Sequence, residues 1–282
     1  MLKKIVPLTI KRSMIVRKIG IKLFNRPISV WYFKEKDFIN FGDELTPDII
    51  TRLFNRDVKR VDIEEADLFC VGSILEIAEN KRNKTAYVWG SGYIQEGDKA
   101  KDSMGLTYRA VRGFLSRDRL PVRFGSIPVG DPGLLSNLIY NKKEKKSGKI
   151  GIVAHYVDED SPYLDRAREM PEIYSIISVK SPPEQVALQI TECRLILSSS
   201  LHGLIMSDSF GIPNIHTVFS DKVAGSGYKF KDYYSAIGKE YTTLNKSDLY
   251  DTKKLSLIEK LYTPIDNLQE IQTQLIQSFP FK

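Results

Sequence analysis

The chain has little cysteine and little histidine. Two cysteines, Cys70 and Cys193, occur in 282 residues, each inside an apolar run and with no CxxC spacing. That pattern excludes a disulfide scaffold and reads as two buried thiols in a reducing compartment. Three histidines, His155, His202 and His216, fall at unrelated spacings, with no HExxH and no carboxylates at ligand spacing, so no metal site is expected. No apolar run is long enough to cross a bilayer. The Gly90-Ser91-Gly92 turn lacks the third glycine of a dinucleotide fingerprint, which argues against NAD. Repeats and low-complexity tracts are absent as well.

Acid is missing from one stretch. Residues 1–34 hold nine Lys or Arg and no Asp or Glu. Of 42 basic and 35 acidic residues in the chain, the remainder keeps 33 and 35, so a net charge of +7 hides a body at −2. Charges interrupt every apolar stretch of the arm, so it is no signal peptide. Its apolar residues interleave with cations, as in a helix lying on an anionic membrane surface, and a solvated terminus fits equally well. Nucleic-acid binding would want a basic body and stacking aromatics, and is not expected.

What the chain has in quantity is an α/β rhythm. Short apolar strands end in Gly, Ser, Asn or Asp turns and run into helical patterns, the habit of a parallel sheet. The segments are Ile28–Phe33 before Asn40-Phe41-Gly42-Asp43, Asp67–Val71 before Gly72-Ser73, Thr85–Trp89 before Gly90-Ser91-Gly92, and Tyr108–Val111 before Arg112-Gly113. Val129 precedes Asp131-Pro132-Gly133. The polar stretch 141–149, NKKEKKSGK, predicts a linker, after which strands at Ile150–His155, Tyr174–Val179 and Leu195–Ser198 restart the rhythm. An amphipathic helix is predicted from about Leu255 to Phe279. The expected architecture is α/β: a basic arm (1–27), a Rossmann-like domain (28–140), the linker, a second Rossmann-like domain (150–245) and a C-terminal helical segment (246–282). The two domains would face a cleft in the GT-B manner with the last helix packing across.

The most informative segment is Leu195–Pro213, LILSSSLHGLIMSDSFGIP. A strand runs into three serines and a helix that opens with Leu-His-Gly. Free N–H groups and the helix dipole at such an end hold anions, and Ser199 and Ser200 can add hydroxyls while Gly203 allows close approach. Serines there are equally ordinary helix caps, and a lone histidine equally a packing residue.

SSSLHGLI followed by GIP resembles the signature of the polysaccharide pyruvyl transferase family. NFGDEL, VWGSGY, VRGFLSRDRL, VGDPGLL and GIVAHYVD resemble further family blocks in the same order, over about residues 39–240. The resemblance implies transfer of the enolpyruvyl unit of phosphoenolpyruvate to a sugar as a ketal, in surface polysaccharide synthesis. The sugar would be carried on a lipid diphosphate at the cytoplasmic face of the membrane, where residues 1–26 would meet anionic lipid. Phosphoenolpyruvate would be the donor substrate, with no cofactor. His202 is then the candidate general acid. Arg112, Arg117, Ser199, Ser200 and Gly203 are candidates for donor binding, since arginine forks suit phosphate and carboxylate. Asn40, Asp43, Ser91, His155 and Asp158 are candidates for the acceptor side of the cleft, although caps and turn roles explain each of them too. Some family members place a basic residue just before the histidine. Here Ser199-Ser200-Leu201 stands there, so that contact must come from elsewhere, with Arg117 or Lys222 as candidates. His216, inside an apolar strand, reads as packing. The stretch AGSGYKF (224–230) reads either as a loop that closes over the site or as a plain flexible one. A nucleotide-sugar glycosyltransferase of two-Rossmann type and a non-catalytic binding module are the competing readings.

Overall fold

The structure, a computed structural model, describes residues 26–80, 85–100, 105–142 and 147–282. The basic arm, apart from its last residues, lies outside the described residues, as do residues 143–146 of the expected linker. In the first half the order is β1 (Ile28–Trp31), α1 (Phe41–Phe54), β2 (Val58–Arg60), β3 (Leu68–Phe69), α2 (Leu75–Asn80), β4 (Ala86–Trp89), β5 (Leu106–Ala110), α3 (Phe114–Asp118) and α4 (Ser136–Ile139). The second half runs β6 (Ile150–Val153), α5 (Asp165–Arg168), β7 (Tyr174–Ile176), α6 (Pro183–Glu192), β8 (Leu195–Ser198), α7 (Leu201–Ser209), β9 (Asn214–Val218), α8 (Tyr228–Ala236), β10 (Thr243–Asn245), α9 (Thr252–Leu261) and α10 (Leu268–Ser278).

Two parallel five-stranded sheets result, ordered β2-β1-β3-β4-β5 and β10-β9-β8-β6-β7. Counted from its own first strand, each sheet has the order 2-1-3-4-5. The chain therefore reverses its winding between β1 and β3 in one half and between β6 and β8 in the other, and ligands of open parallel sheets collect outside the strand ends at such points. Central strands covered on both faces read as continuous apolar runs, and Ile150–Val153 and Leu195–Leu197 are accordingly fully buried in register, Ile152 opposite Leu197.

α1 shows how local sequence sets an element. Asn40 caps its start by accepting from the Gly42 amide at 3.2 Å, and Asp43 and Glu44 occupy the first turn where the dipole favours acid. Phe41, Leu45, Ile49 and Ile50 recur at helical spacing, are completely buried, and share one apolar core with Leu201, Leu204 and Ile205 of α7. Each fully buried side chain of this size contributes about 1.5–3 kcal/mol. The Phe41 amide also donates to the carbonyl of Val179, 2.9 Å away in the second half. The two halves thus meet through α1, and they do so at their strand ends.

Three expectations need correction. The predicted helix from Leu255 to Phe279 is two helices, because Pro264 lies in the break between α9 and α10. Leu255 of α9 packs in the second-half core, whereas α10 returns to the first sheet, where the Trp89 indole donates to the Leu275 carbonyl at 2.9 Å. The short edge strands β2 and β10 were not expected. Finally, AGSGYKF is a loop only as far as Gly227: Tyr228 begins α8, whose Phe230, Tyr233 and Tyr234 are buried. The loop itself rests against the first half, since a Cβ at Gly225 would lie 2.0 Å from the Ile94 carbonyl oxygen.

Candidate active site

All six sequence blocks noted above lie at or just beyond the carboxyl ends of strands, and those after β1, β6 and β8 converge. At the β8–α7 turn the Ser198 hydroxyl accepts from the Ser200 amide at 3.0 Å and lies 2.8 Å from the Val153 carbonyl. The Ser199 hydroxyl accepts from the His155 amide at 2.9 Å, which ties the ends of β6 and β8 together. Ser200 stands at the cap position of α7, yet its side chain makes no capping hydrogen bond. Gly203 faces inward, where a Cβ would meet the Ser198 hydroxyl at 2.4 Å and the Val153 side chain at 2.9 Å. Its smallness lets the helix lie on the sheet.

His202, in the first turn of α7, extends toward α1. A Cβ at Gly42 would lie 2.0 Å from its Nδ1, so the glycine of Asn-Phe-Gly-Asp leaves the space the imidazole fills. Phe41 stands edge-on to the ring at 6.4 Å between centroids. The residue is partly exposed, but its Nε2 is enclosed and has no hydrogen-bond partner. Burial, with the positive charges of Arg112 and Lys229 and the neighbouring His155, pushes its pKa down to about 3. The imidazole is therefore neutral at neutral pH.

Asp43 is on the next residue of the same turn and is buried. Burial, then repulsion from Glu44 and Glu35, pushes its carboxyl up to about 7, although Lys229 and the Asn40 side chain pull the other way. His155 accepts from the Val157 amide through Nδ1 at 3.4 Å, and its ring lies 4.3 Å from that of Tyr156. Burial and the charge of Lys229 lower its pKa to about 4. Asp158 is buried as well. One carboxylate oxygen accepts from the Ser220 hydroxyl, and the other has no partner. Ser220 also lines a cavity of about 720 Å³ beyond β9 and β10, with Asp221, Asn245, Lys246 and Asp248 on its walls. Ser91 is enclosed in the first half, its hydroxyl donating to the Gly72 carbonyl at 2.8 Å.

The two arginines expected to clamp an anion sit differently. Arg112 is completely buried, with Nε 2.9 Å from Asp232, Nη1 2.6 Å from the Ser73 hydroxyl and Nη2 2.6 Å from the Tyr93 carbonyl. Its guanidinium ties the ends of β3, β4 and β5 to α8 and acts on His202 through charge. Arg117 turns away, 4.6 Å over the Phe114 ring and bonded to the Ile127 carbonyl. Lys222 is exposed.

One residue escaped the sequence reading. Lys229, on the first turn of α8, is 8% exposed, and its charge depresses the pKa of His155, His202 and His216 and opposes the upward shift of Asp43. One ammonium thus acts through charge on four groups of the candidate site. The clue was available in principle: Phe230, Tyr233 and Tyr234 recur at helical spacing, which predicts a buried stripe beginning beside Lys229. His216 stacks on Phe230 at 3.7 Å and its Nδ1 lies 2.8 Å from the Tyr241 hydroxyl.

Comparison with known proteins adds an independent line. A protein of Acanthamoeba polyphaga mimivirus, described only as uncharacterized, is 28% identical over 247 residues, spanning 82% of this chain and 83% of that one. Residues 9–219, which include the α1 turn, the end of β5 and the β8–α7 turn, match the polysaccharide pyruvyl transferase family. That match covers most of the sequence and every strand end that converges on His202, and the chain therefore belongs to the polysaccharide pyruvyl transferase family, a family of transferases.

Proposed function

We propose that this chain moves the enolpyruvyl group of phosphoenolpyruvate onto a sugar as a ketal, at the junction of α1 and α7. The observation that carries the reading is the imidazole of His202 lodged over Gly42, with a buried Nε2 that no protein group satisfies. Buried polar nitrogens are almost always paired, so an unpaired one among strand ends is a place for a substrate atom.

The reaction requires a proton on the methylene carbon of the donor, attack of a sugar hydroxyl at C2, cleavage of the C2–O bond to phosphate, and closure by a second hydroxyl. Of the two hydroxyl protons, one balances the new methyl group and the other leaves with phosphate. His202 is neutral in the ligand-free site, and an incoming phosphate and carboxylate raise its pKa by adding negative charge beside it. It then carries a proton into the step as general acid. Asp43, which titrates near neutrality, accepts a hydroxyl proton as base.

We read the two halves as Rossmann-like domains arranged in the GT-B manner, with the donor between them. The acceptor approaches from the side of His155 and Asp158, next to the groove whose Ser220, Asn245 and Asp248 are of the kind that bind sugar hydroxyls. A sugar held on a lipid diphosphate fits a chain whose first 34 residues carry nine cations and no acid, and the arm (1–26) would hold the enzyme against anionic lipid. No helix among the described residues is long and apolar enough to cross a membrane.

Phosphate release from phosphoenolpyruvate, measured across a panel of lipid-diphosphate sugars with nucleotide sugars as controls, tests the reading. Release should require one of the lipid-linked acceptors, and His202→Ala should lower turnover about a hundredfold or more while the far-ultraviolet spectrum stays unchanged. Release that ignores the acceptor, or near-normal turnover without the imidazole, would remove this assignment.

A further inference from the structure

Buried cations in proteins are paired with carboxylates, hydrogen-bonded, or held ready for a ligand. Arg112 belongs to the first class, through its contacts to Asp232. Lys229 does not. It is 8% exposed, and among the described residues no hydrogen bond or ion pair reaches its ammonium, which lies over the ring face of Phe230 at 5.5 Å. Nor is its place accidental. Lys229 lies three residues before Asp232, on the same face of α8, and Asp232 holds both Arg112 and the start of α3, accepting from the Ser116 amide at 2.7 Å. Phe230 beside it is stacked on His216 of β9. Lys229 thus shares α8 with the residues that hold the end of β5 and pack on β9, and the four groups that feel its charge are Asp43, His155, His202 and His216.

Three of those four are imidazoles that the same charge disfavours in their protonated form. The fourth, Asp43, forms no salt bridge with it. A buried ammonium without an ion-pair partner, which shares its surroundings with neutral imidazoles and the charge of Arg112, makes an anion-seeking spot. The turn before His202 offers no basic residue of its own, because Ser199, Ser200 and Leu201 occupy it. Lys229 also lies beyond residues 9–219, the part that matches the family.

We infer that Lys229 supplies the counter-charge for the donor's phosphate or carboxylate in this chain, in place of a basic residue beside the histidine. This assignment rests on the pyruvyl-transfer reading for the identity of the anion, but not for its existence. A ligand-binding role and a structural role predict opposite signs for one measurement. Removing an unpaired buried charge relieves desolvation, so Lys229→Met should melt higher than the parent, by about 2–4 °C. The same change should weaken donor binding about tenfold to a hundredfold, the usual worth of a charge-assisted contact. Lys229→Arg, which keeps the charge, should retain most of the affinity.

The experiment is calorimetric titration of the full chain and both variants with phosphoenolpyruvate and, separately, with inorganic phosphate, alongside ligand-free melting curves. Weaker donor binding by a more stable Lys229→Met establishes the site. Lys229→Met that binds phosphoenolpyruvate within twofold of the parent overturns it, and so does Lys229→Met that melts well below the parent. If the parent binds inorganic phosphate through Lys229 but ignores phosphoenolpyruvate, the anion site stands and the pyruvyl-transfer reading falls.

Discussion

Adding one methyl group at Gly42 would place it 2.0 Å from Nδ1 and 2.6 Å from Cγ of His202, inside the ring's own van der Waals envelope. Either α1 or the imidazole has to move. Overpacking of this kind costs about 1–3 kcal/mol, and a displacement of about 1 Å at a reacting group costs on the order of a hundredfold in rate. Gly42→Ala should therefore remain folded, lose stability within that range, and lose far more activity than stability, as read by denaturant unfolding beside the phosphate-release assay. Normal turnover in a folded Gly42→Ala enzyme would mean that His202 does not act from this position. The sequence announced the two partners separately, as Asn-x-Gly-Asp and as Leu-His-Gly. It could not announce their contact, because 160 residues separate them and a glycine's missing side chain leaves no trace of what fills its place. Arg112 carries the same lesson from the other side. An arginine before a glycine at a strand end looks like a free anion fork, and only the fold shows Asp232, Ser73 and Tyr93 closing around it.

At the scale of elements, the α/β rhythm was legible because buried parallel strands are continuous apolar runs and helix starts carry chemical marks. The Pro183–Glu192 and Leu195–Ser198 bounds follow directly from Pro183 at the first helical turn and from a four-residue apolar strand. The edge strands β2 and β10 were not legible, since only one face of each is covered and charged or polar residues such as Lys59, Arg60 and Asn245 belong there. α8 was legible only in its apolar stripe, because Lys229 and Asp232 are buried where a helix normally places apolar side chains. The C-terminal region misled for a different reason: its amphipathic period continues through Pro264, although the backbone cannot. That break lets α10 fold back on the first sheet, where Phe279 stacks on Phe54 at 3.8 Å and meets the Trp89 ring edge-on at 4.9 Å. Phe279 is 2% exposed, so Phe279→Ala should destabilise the protein by about 3–5 kcal/mol, visible in urea unfolding and as a red shift of the Trp89 emission. A loss below about 1 kcal/mol would show that α10 is an appendage and not part of the first half's core.

At the scale of the molecule, the candidate site lies where α1 of the first half meets α7 of the second, and its electrostatics bind stability to pH. All three histidines of the chain have folded pKa values below their ordinary 6.5: His202 at about 3, His155 and His216 at about 4, each through burial first. Between about pH 4 and 6.5 the unfolded chain therefore binds imidazole protons that the folded chain refuses, and stability falls as pH drops through that window. Two buried carboxyls oppose this. Asp43 at about 7 and Asp131 at about 6 hold protons in the folded state that the unfolded chain, near 3.9, has already released. Near pH 5 the balance is about three protons against two, so the parent should lose roughly 1.4 kcal/mol per pH unit on acidification. Asp43→Asn removes one opposing proton. It should be more stable than the parent above pH 7, where it no longer buries a carboxylate, and should lose stability about twice as steeply between pH 6 and 4.5. Urea unfolding at half-unit pH steps reads both slopes. Parallel slopes for the two proteins would show that Asp43 keeps an ordinary carboxyl pKa in the folded state, and would take away the near-neutral base on which the proposed proton transfers depend.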